Sequence, residues 1–223
     1  MKIELIEKGF VEFPENGTIE KIICKYDGMC TVYDSAGLSR SLSVECSSYN
    51  SQMGFPVSCD GRMLFTSSWE NGLTAYDISS GNVIWRFKRS RITKMIPYNQ
   101  YIVAERYGKS IIKFDIQTGE VLSEIKSGTV GHKMWELPSP YILVDRIRGK
   151  LIVVDTEDMT VKKAYKENIV DPNQCLSLLI QGRRFQDGVL SIYGVESYPN
   201  RNPSLELKTY FERVIDSNFF ENL

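Results

Sequence analysis

The chain has 223 residues, of which 42 % are hydrophobic and 25 % charged, a balance that suits one large water-soluble globular domain. Its net charge of −1 excludes a global field drawing it to nucleic acid or to an anionic membrane, so any electrostatic choice of partner must come from a local patch. The N-terminus, MKIELIEKGFVEF, sets acids among its apolar residues, and no later stretch approaches a membrane span; a cytoplasmic chain with no signal peptide and no membrane partner is expected.

Residues 2–7 alternate and form a spare strand before the first unit. That unit runs over about 9–44. Its strands are 9–13, 18–24, 29–33 and 38–44, with Tyr26-Asp27-Gly28 and residues 34–37 as turns. The second unit, 52–87, has strands at 52–55, 63–66, 73–76 and 82–87. Its turn Trp69-Glu70-Asn71-Gly72 contains an Asn-Gly pair, which suits the positive φ of a tight hairpin. The third, 93–125, copies it with strands at 93–96, 101–104, 110–114 and 120–125 and the turn Arg106-Tyr107-Gly108-Lys109. The fourth, 133–165, has strands at 133–137, 141–144, 151–154 and 161–165. The fifth, 175–211, is degenerate: 175–180 and 189–193 read as strands. Residues 205–211 alternate as a strand, with an amphipathic helix opened by Pro203-Ser204 as the competing reading.

Two marks recur with a period of about forty residues. A hydrophobic-Pro step appears at Phe13-Pro14, Phe55-Pro56, Ile96-Pro97 and Leu137-Pro138; proline has no N–H to give and belongs at a strand end. An apolar pair ending in aspartate appears at Val32-Tyr33-Asp34, Ala75-Tyr76-Asp77 and Val153-Val154-Asp155, and Lys113-Phe114-Asp115 varies it. Four short strands per unit at this period predict an all-β fold, a β-propeller of about five four-stranded antiparallel blades. The whole chain, 1–223, is then one domain. Residues 2–7 are the candidate outer strand for blade five, a closure that would remove exposed sheet edges.

From Ala75 to Trp85 the second unit reads A-x-D-x-x-S-G-x-x-x-W. This resembles the repeat of pyrroloquinoline-quinone-type (quinoprotein-like) and WD40-like β-propellers, in a short five-unit version. The resemblance implies that Asp77, Gly81 and Trp85 hold neighbouring blades together. Unit three keeps Asp115, Thr118 and Gly119 but has Ser123 at the tryptophan position. Unit four keeps Asp155 and loses the glycine. The adjacent cysteine pair of quinone-binding relatives is absent from the sequence, so no cofactor is expected.

Catalytic signatures are weak. His132 is the only histidine and has no nucleophile motif beside it, so neither a histidine-based active site nor a histidine metal cluster is expected. Asp34, Asp77, Asp115 and Asp155 stand where a strand meets a turn, where a carboxylate accepts N–H groups two or three residues on; Gly37, Gly81 and Gly119 suit the φ of the same turns. Glu12 and Glu136 fall at equivalent inner-strand positions and could form a glycosidase-like pair, but units two and three have Gly54 and Met95 there. Cys24, Cys30, Cys46, Cys59 and Cys175 are odd in number and match no C-x-x-C pattern; five reduced thiols are expected.

The strongest functional pattern is a sorting of charge between the ends of the blades. In a propeller the second-to-third-strand turns and the blade-to-blade connections gather on one face. Here they contain Tyr26, Trp69, Lys88, Arg89, Arg91, Arg106, Tyr107, Lys109, Arg146, Arg148 and Lys150. Turns expected at the other end, such as residues 34–37, 78–81 and 138–140, are small and nearly neutral. Arginine and aromatic side chains anchor many interfaces. The function expected is a non-catalytic protein-binding propeller for a partner with an acidic surface, one concrete form being an immunity protein that covers a toxin's active site. The alternatives are a nucleic-acid-binding propeller, with phosphates on the basic residues and bases stacked on the aromatics, and a carbohydrate-active or quinone-dependent enzyme.

Overall fold

The computed structural model describes residues 2–6, 9–13, 19–25, 29–44, 57–59, 62–68, 71–89, 91–126, 130–146, 150–165, 177–198 and 207–223. The strands fall into five sheets of consecutive antiparallel hairpins, the blades of a β-propeller fold. Blade one holds β1 (Lys2–Ile6), β2 (Gly9–Phe13), β3 (Ile19–Lys25), β4 (Met29–Asp34) and β5 (Ser39–Ser43). Blade two holds β6 (Val57–Cys59), β7 (Met63–Ser68), β8 (Gly72–Asp77) and β9 (Val83–Phe87). Blade three holds β10 (Ile92–Pro97), β11 (Tyr101–Arg106), β12 (Ser110–Asp115) and β13 (Val121–Lys126). Blade four holds β14 (Val130–Glu136), β15 (Tyr141–Arg146), β16 (Lys150–Asp155) and β17 (Thr160–Tyr165), and blade five β18 (Ser177–Gln186), β19 (Val189–Tyr198) and β20 (Leu207–Asp216). Blades one to three form one compact unit, Met1–Lys126, and blades four and five a second, Ser127–Leu223.

Burial explains the strand composition. The third strands β8 (GLTAYD) and β12 (SIIKFD) are apolar on both faces because each is covered by core on both sides. The outer strands β13 and β17 are mostly exposed and carry charge. Within the first unit, Ile22, Cys24, Val32 and Leu42 pack against Leu64, Tyr76 and Ile78 between blades one and two. Phe65, Leu73 and Trp85 pack against Ile102, Ile112 and Phe114 between blades two and three. In the second unit Leu143, Leu151 and Val153 meet Ile180, Leu190 and Ile192.

The repeated aspartates act as turn clamps. Asp34 Oδ1 accepts the N–H groups of Ala36 and Leu38, both at 2.9 Å. Asp77 Oδ1 accepts Ser80 N–H at 2.6 Å and the Ser79 and Ser80 hydroxyls; Asp115 Oδ1 accepts Gln117 N–H, Thr118 N–H and the Thr118 hydroxyl. These donors, led by Ser79 for Asp77 and by Thr118 for Asp115, hold both carboxyls below their ordinary pKa. Gly37, Gly81 and Gly119 have φ of 80°, 75° and 72°, and in blade four Met159 takes the left-handed position at φ 57°.

Two expectations change. β1 hairpins onto β2, with Leu5 opposite Phe10 and Ile6 opposite Gly9, and makes blade one five-stranded instead of closing blade five. Cys24 and Cys30 are not free thiols: β3 and β4 place them directly opposite each other, wholly buried, and they form a disulfide with Cα atoms 4.1 Å apart. Of the segment 205–211, the described residues 207–211 belong to a strand, as first read, and not to the competing helix. β20 pairs along ten residues with β19 and ends at Asp216, opposite Leu190, the register at which Asp115 faces Tyr101 and Asp155 faces Tyr141. Blade five therefore has the same turn aspartate, with Asn218 N–H at 3.0 Å from Asp216 Oδ1, and three strands among the described residues. The inner strand expected at 52–55 lies outside the described residues, where blade two begins with Val57–Cys59.

The C-terminal residues fasten blade five to blade four. Lys163 Nζ and the Tyr165 hydroxyl both donate to Asp216 Oδ2, at 2.9 and 2.7 Å. A single 3-10 turn, Phe219–Asn222, then buries Phe219 completely against Tyr141 and Phe185.

Candidate partner-binding face

Blades two and three build a compact basic corner. β9 ends at Phe87, residues 88–89 follow it, and Arg91 directly precedes β10. The backbone of this connection is held at both sides. A Cβ placed on Gly72, where the β7–β8 hairpin turns, would stand 2.6 Å from Arg89 O, so that hairpin end lies against the connection. On the other side Tyr107 N–H donates to Arg91 O at 2.8 Å, and Lys109 N–H donates to Arg106 O at 3.0 Å, closing the β11–β12 turn over Gly108. Five of the expected residues thus come together: Lys88, Arg89 and Arg91 from the connection, Tyr107 and Lys109 from the turn. All but half-buried Tyr107 are exposed.

The charges are not equivalent. Arg89 Nη1 pairs with Glu124 Oε2 at 3.2 Å, and its guanidinium stands 5.3 Å from the centre of the Phe87 ring. The same glutamate accepts the Ser110 hydroxyl. Arg106 is half-buried, and its Nε is buried without a hydrogen-bond partner among the described residues. Lys88, Arg91 and Lys109 remain at the surface, and Lys126 joins them, since β13 places it opposite Ser110. Sequence reasoning missed Lys126 because it lies on an outer strand and not in a turn. Arg91 has φ 70°, a left-handed conformation that costs a non-glycine residue about 1–2 kcal/mol. Such strain collects where geometry serves a task.

Beneath this corner lies a buried polar seam. Glu105 is fully buried and accepts the Thr93 hydroxyl at 3.0 Å, while Ser67 reaches the Thr93 carbonyl at 3.5 Å. Through Ser67 and Thr93 the seam ties blade two to blade three.

Tyr26, Trp69 and Arg148 lie outside the described residues. Arg146 and Lys150 belong to the second unit, where they face each other at the end of the β15–β16 hairpin. Glu12 and Glu136 fall on β2 and β14, in different units, and Glu136 is exposed. His132 is a β14 residue.

No protein-family model matches the chain. Among curated proteins, Retinoblastoma-binding protein homolog 5 of Caenorhabditis elegans is 23 % identical over 206 residues, covering 83 % of this chain and 43 % of its own length. Among solved structures, BamB from Moraxella catarrhalis matches with a TM-score of 0.56 and 12 % identity, over 89 % of this chain and 62 % of that one. Dihydro-heme d1 dehydrogenase NirN, solved in complex with DHE, matches with a TM-score of 0.59 and 15 % identity, over 89 % of this chain and 45 % of that one. Both solved structures share the β-propeller fold, and at these identities the likeness concerns fold alone. The chain spans less than two thirds of each of the three proteins. Among the described residues, no helix is long and apolar enough to cross a membrane.

Proposed function

We propose that this chain is a non-catalytic protein-binding propeller whose basic corner receives an acidic surface of another protein. The observation that carries the reading is the convergence of Lys88, Arg91, Lys109 and Lys126 around the Tyr107–Arg91 backbone hydrogen bond. Two blades supply them, and Glu124, the acid paired with Arg89, also accepts the Ser110 hydroxyl. Rigid presentation of arginine and tyrosine on a fixed backbone lowers the ordering cost of association. One curated relative is itself named for binding another protein. In its most specific form the chain is a cytosolic immunity protein that covers a toxin's active site.

The test is affinity purification from the native host with the wild-type chain and with a Lys88→Glu/Arg91→Glu/Lys109→Glu variant. A protein with an acidic surface that co-elutes with the first and is lost from the second supports the reading. Retention by both overturns it. A nucleic acid in the eluate, with affinity falling steeply as salt rises, replaces it with phosphate recognition.

A further inference from the structure

Strand register aligns one outer-strand position in four blades. Arg40 stands opposite Val32, Trp85 opposite Ala75, Ser123 opposite Lys113 and Lys163 opposite Val153. Each partner lies two residues before its blade's turn aspartate. Trp85 fills the seam between blades two and three: its Nε1–H donates to Ile116 O at 3.0 Å, and its ring lies 5.8 Å from Phe65 and 6.4 Å from Phe114, centre to centre. Arg40 makes the matching bond one seam earlier, with Nη1 donating to Ile78 O at 3.2 Å. Ile78 and Ile116 both directly follow a turn aspartate, so the two side chains are counterparts.

An arginine reaches the same carbonyl but has no indole to fill the seam. In its place blades one and two enclose a cleft of about 470 Å³. Ile19, Val32 and Ile78 form its buried apolar wall, and Leu38, 71 % exposed, stands beside them. Arg40 and Arg62 also line the cleft, and the Arg40 guanidinium is anchored at its wall by the bond to Ile78 O. The cleft opens at the turn-aspartate ends of the strands, away from the basic corner, and it is independent of the partner-binding reading.

We propose that this cleft binds a small carboxylate carried on an aliphatic body. Its volume is that of a small-ligand pocket, about 300–1,000 Å³. A guanidinium fork matches a carboxylate with two parallel hydrogen bonds, and Arg40 uses one nitrogen on Ile78 and keeps its other donors for a ligand. The hydrocarbon part then lies along Ile19, Val32, Leu38 and Ile78. Asp34 and Asp77 also line the cleft, but each commits Oδ1 to its own turn. Their charge disfavours a multiply charged anion such as phosphate, while the arginines disfavour an ammonium. A monoanion with an apolar tail meets both constraints and is the ligand that the Arg40 guanidinium favours over a neutral one.

The experiment titrates the full chain with hexanoate, hexylamine, hexanol and inorganic phosphate, followed by methyl NMR of the isoleucines and by calorimetry. Hexanoate is expected to shift the Ile19 and Ile78 methyls saturably, with hexylamine and phosphate leaving them in place. Arg40→Gln should weaken hexanoate by about tenfold, the worth of one charge-assisted pair, while the circular-dichroism spectrum stays that of the wild type. Arg40→Trp, which restores the side chain of the neighbouring seam, should abolish binding; where it fails to fold, the glutamine variant decides. No saturable shift with hexanoate, equal affinity in Arg40→Gln, or phosphate or hexanol binding as tightly as hexanoate overturns the proposal.

Discussion

Trp85 and Gly119 give the sharpest stability test of the seam between blades. Trp85 is 8 % exposed, packs on Phe65 and Phe114 and donates to Ile116 O. Burying an aromatic side chain of this size removes about 200 Å² from water, worth about 5 kcal/mol at about 25 cal/mol per Å². Truncation leaves a cavity as well as an unpaired carbonyl, and Trp85→Ala should cost about 4–5 kcal/mol, much of the stability of an ordinary domain. Gly119 sits against the same ring: an added Cβ would lie 2.5 Å from Trp85 Cδ2 and 2.6 Å from Cε3. Gly119→Ala therefore carries two penalties, the steric one and about 1–2 kcal/mol for an alanine at φ 72°. In the Trp85→Ala background the steric part has no ring to meet and only the backbone part should survive. Urea unfolding of the two single variants and the double variant, followed by circular dichroism, measures this coupling. An equal cost of Gly119→Ala in both backgrounds would refute the packing described here.

Other perturbations probe the C-terminal fastening, the corner and the cysteine pair. Burial works to raise the Asp216 carboxyl, but Tyr165, Lys163 and Asn218 N–H together hold it below its ordinary value of 3.8. A depressed folded value stabilises above the unfolded pKa and is lost as pH falls through the folded one, so Asp216→Asn should flatten the loss of stability on acidification below about pH 4. Burial first, and then Asp216, push the Tyr165 hydroxyl well above its ordinary 10.0. That contribution is present at neutral pH and declines as pH rises past about 10, and Tyr165→Phe should remove the alkaline decline. Phe219→Ala should cost about 3–5 kcal/mol in thermal or urea unfolding; a cost under about 1 kcal/mol would show that the C-terminal turn does not hold blade five. Lys88→Glu/Arg91→Glu/Lys109→Glu should melt within about 6 °C of the wild type, because exposed substitutions of this kind change stability by about 0.5 kcal/mol or less each. Alkylation of the denatured protein after acid trapping of native cells reads the compartment. Cytosolic residence predicts that all five cysteines are modified, and protection of Cys24 and Cys30 places the chain in an oxidising compartment.

Much of the fold was legible because its signals are local. The aspartate and glycine turns, the alternating strands and the forty-residue period each depend on neighbours within a few residues, so counting along the chain found most blade strands. The basic corner was legible in part. Residues 88–91 and 107–109 were found as loops, but the pairing of Arg89 with Glu124 was not, because Glu124 lies 35 positions away on an outer strand. The half-burial of Arg106 and the place of Lys126 also follow from register rather than from residue type.

Spacing misleads most at the seams. Arg40 comes six residues after Asp34, whereas Trp85 comes eight after Asp77, since the first blade's turn is shorter; only hydrogen-bonded register makes them counterparts. Short-range backbone preferences wrote the number and kind of the blades into the order of residues. Which side chains meet across a seam, and whether the seam is filled or open, arose from the alignment of strands far apart along the chain, which no local preference encodes.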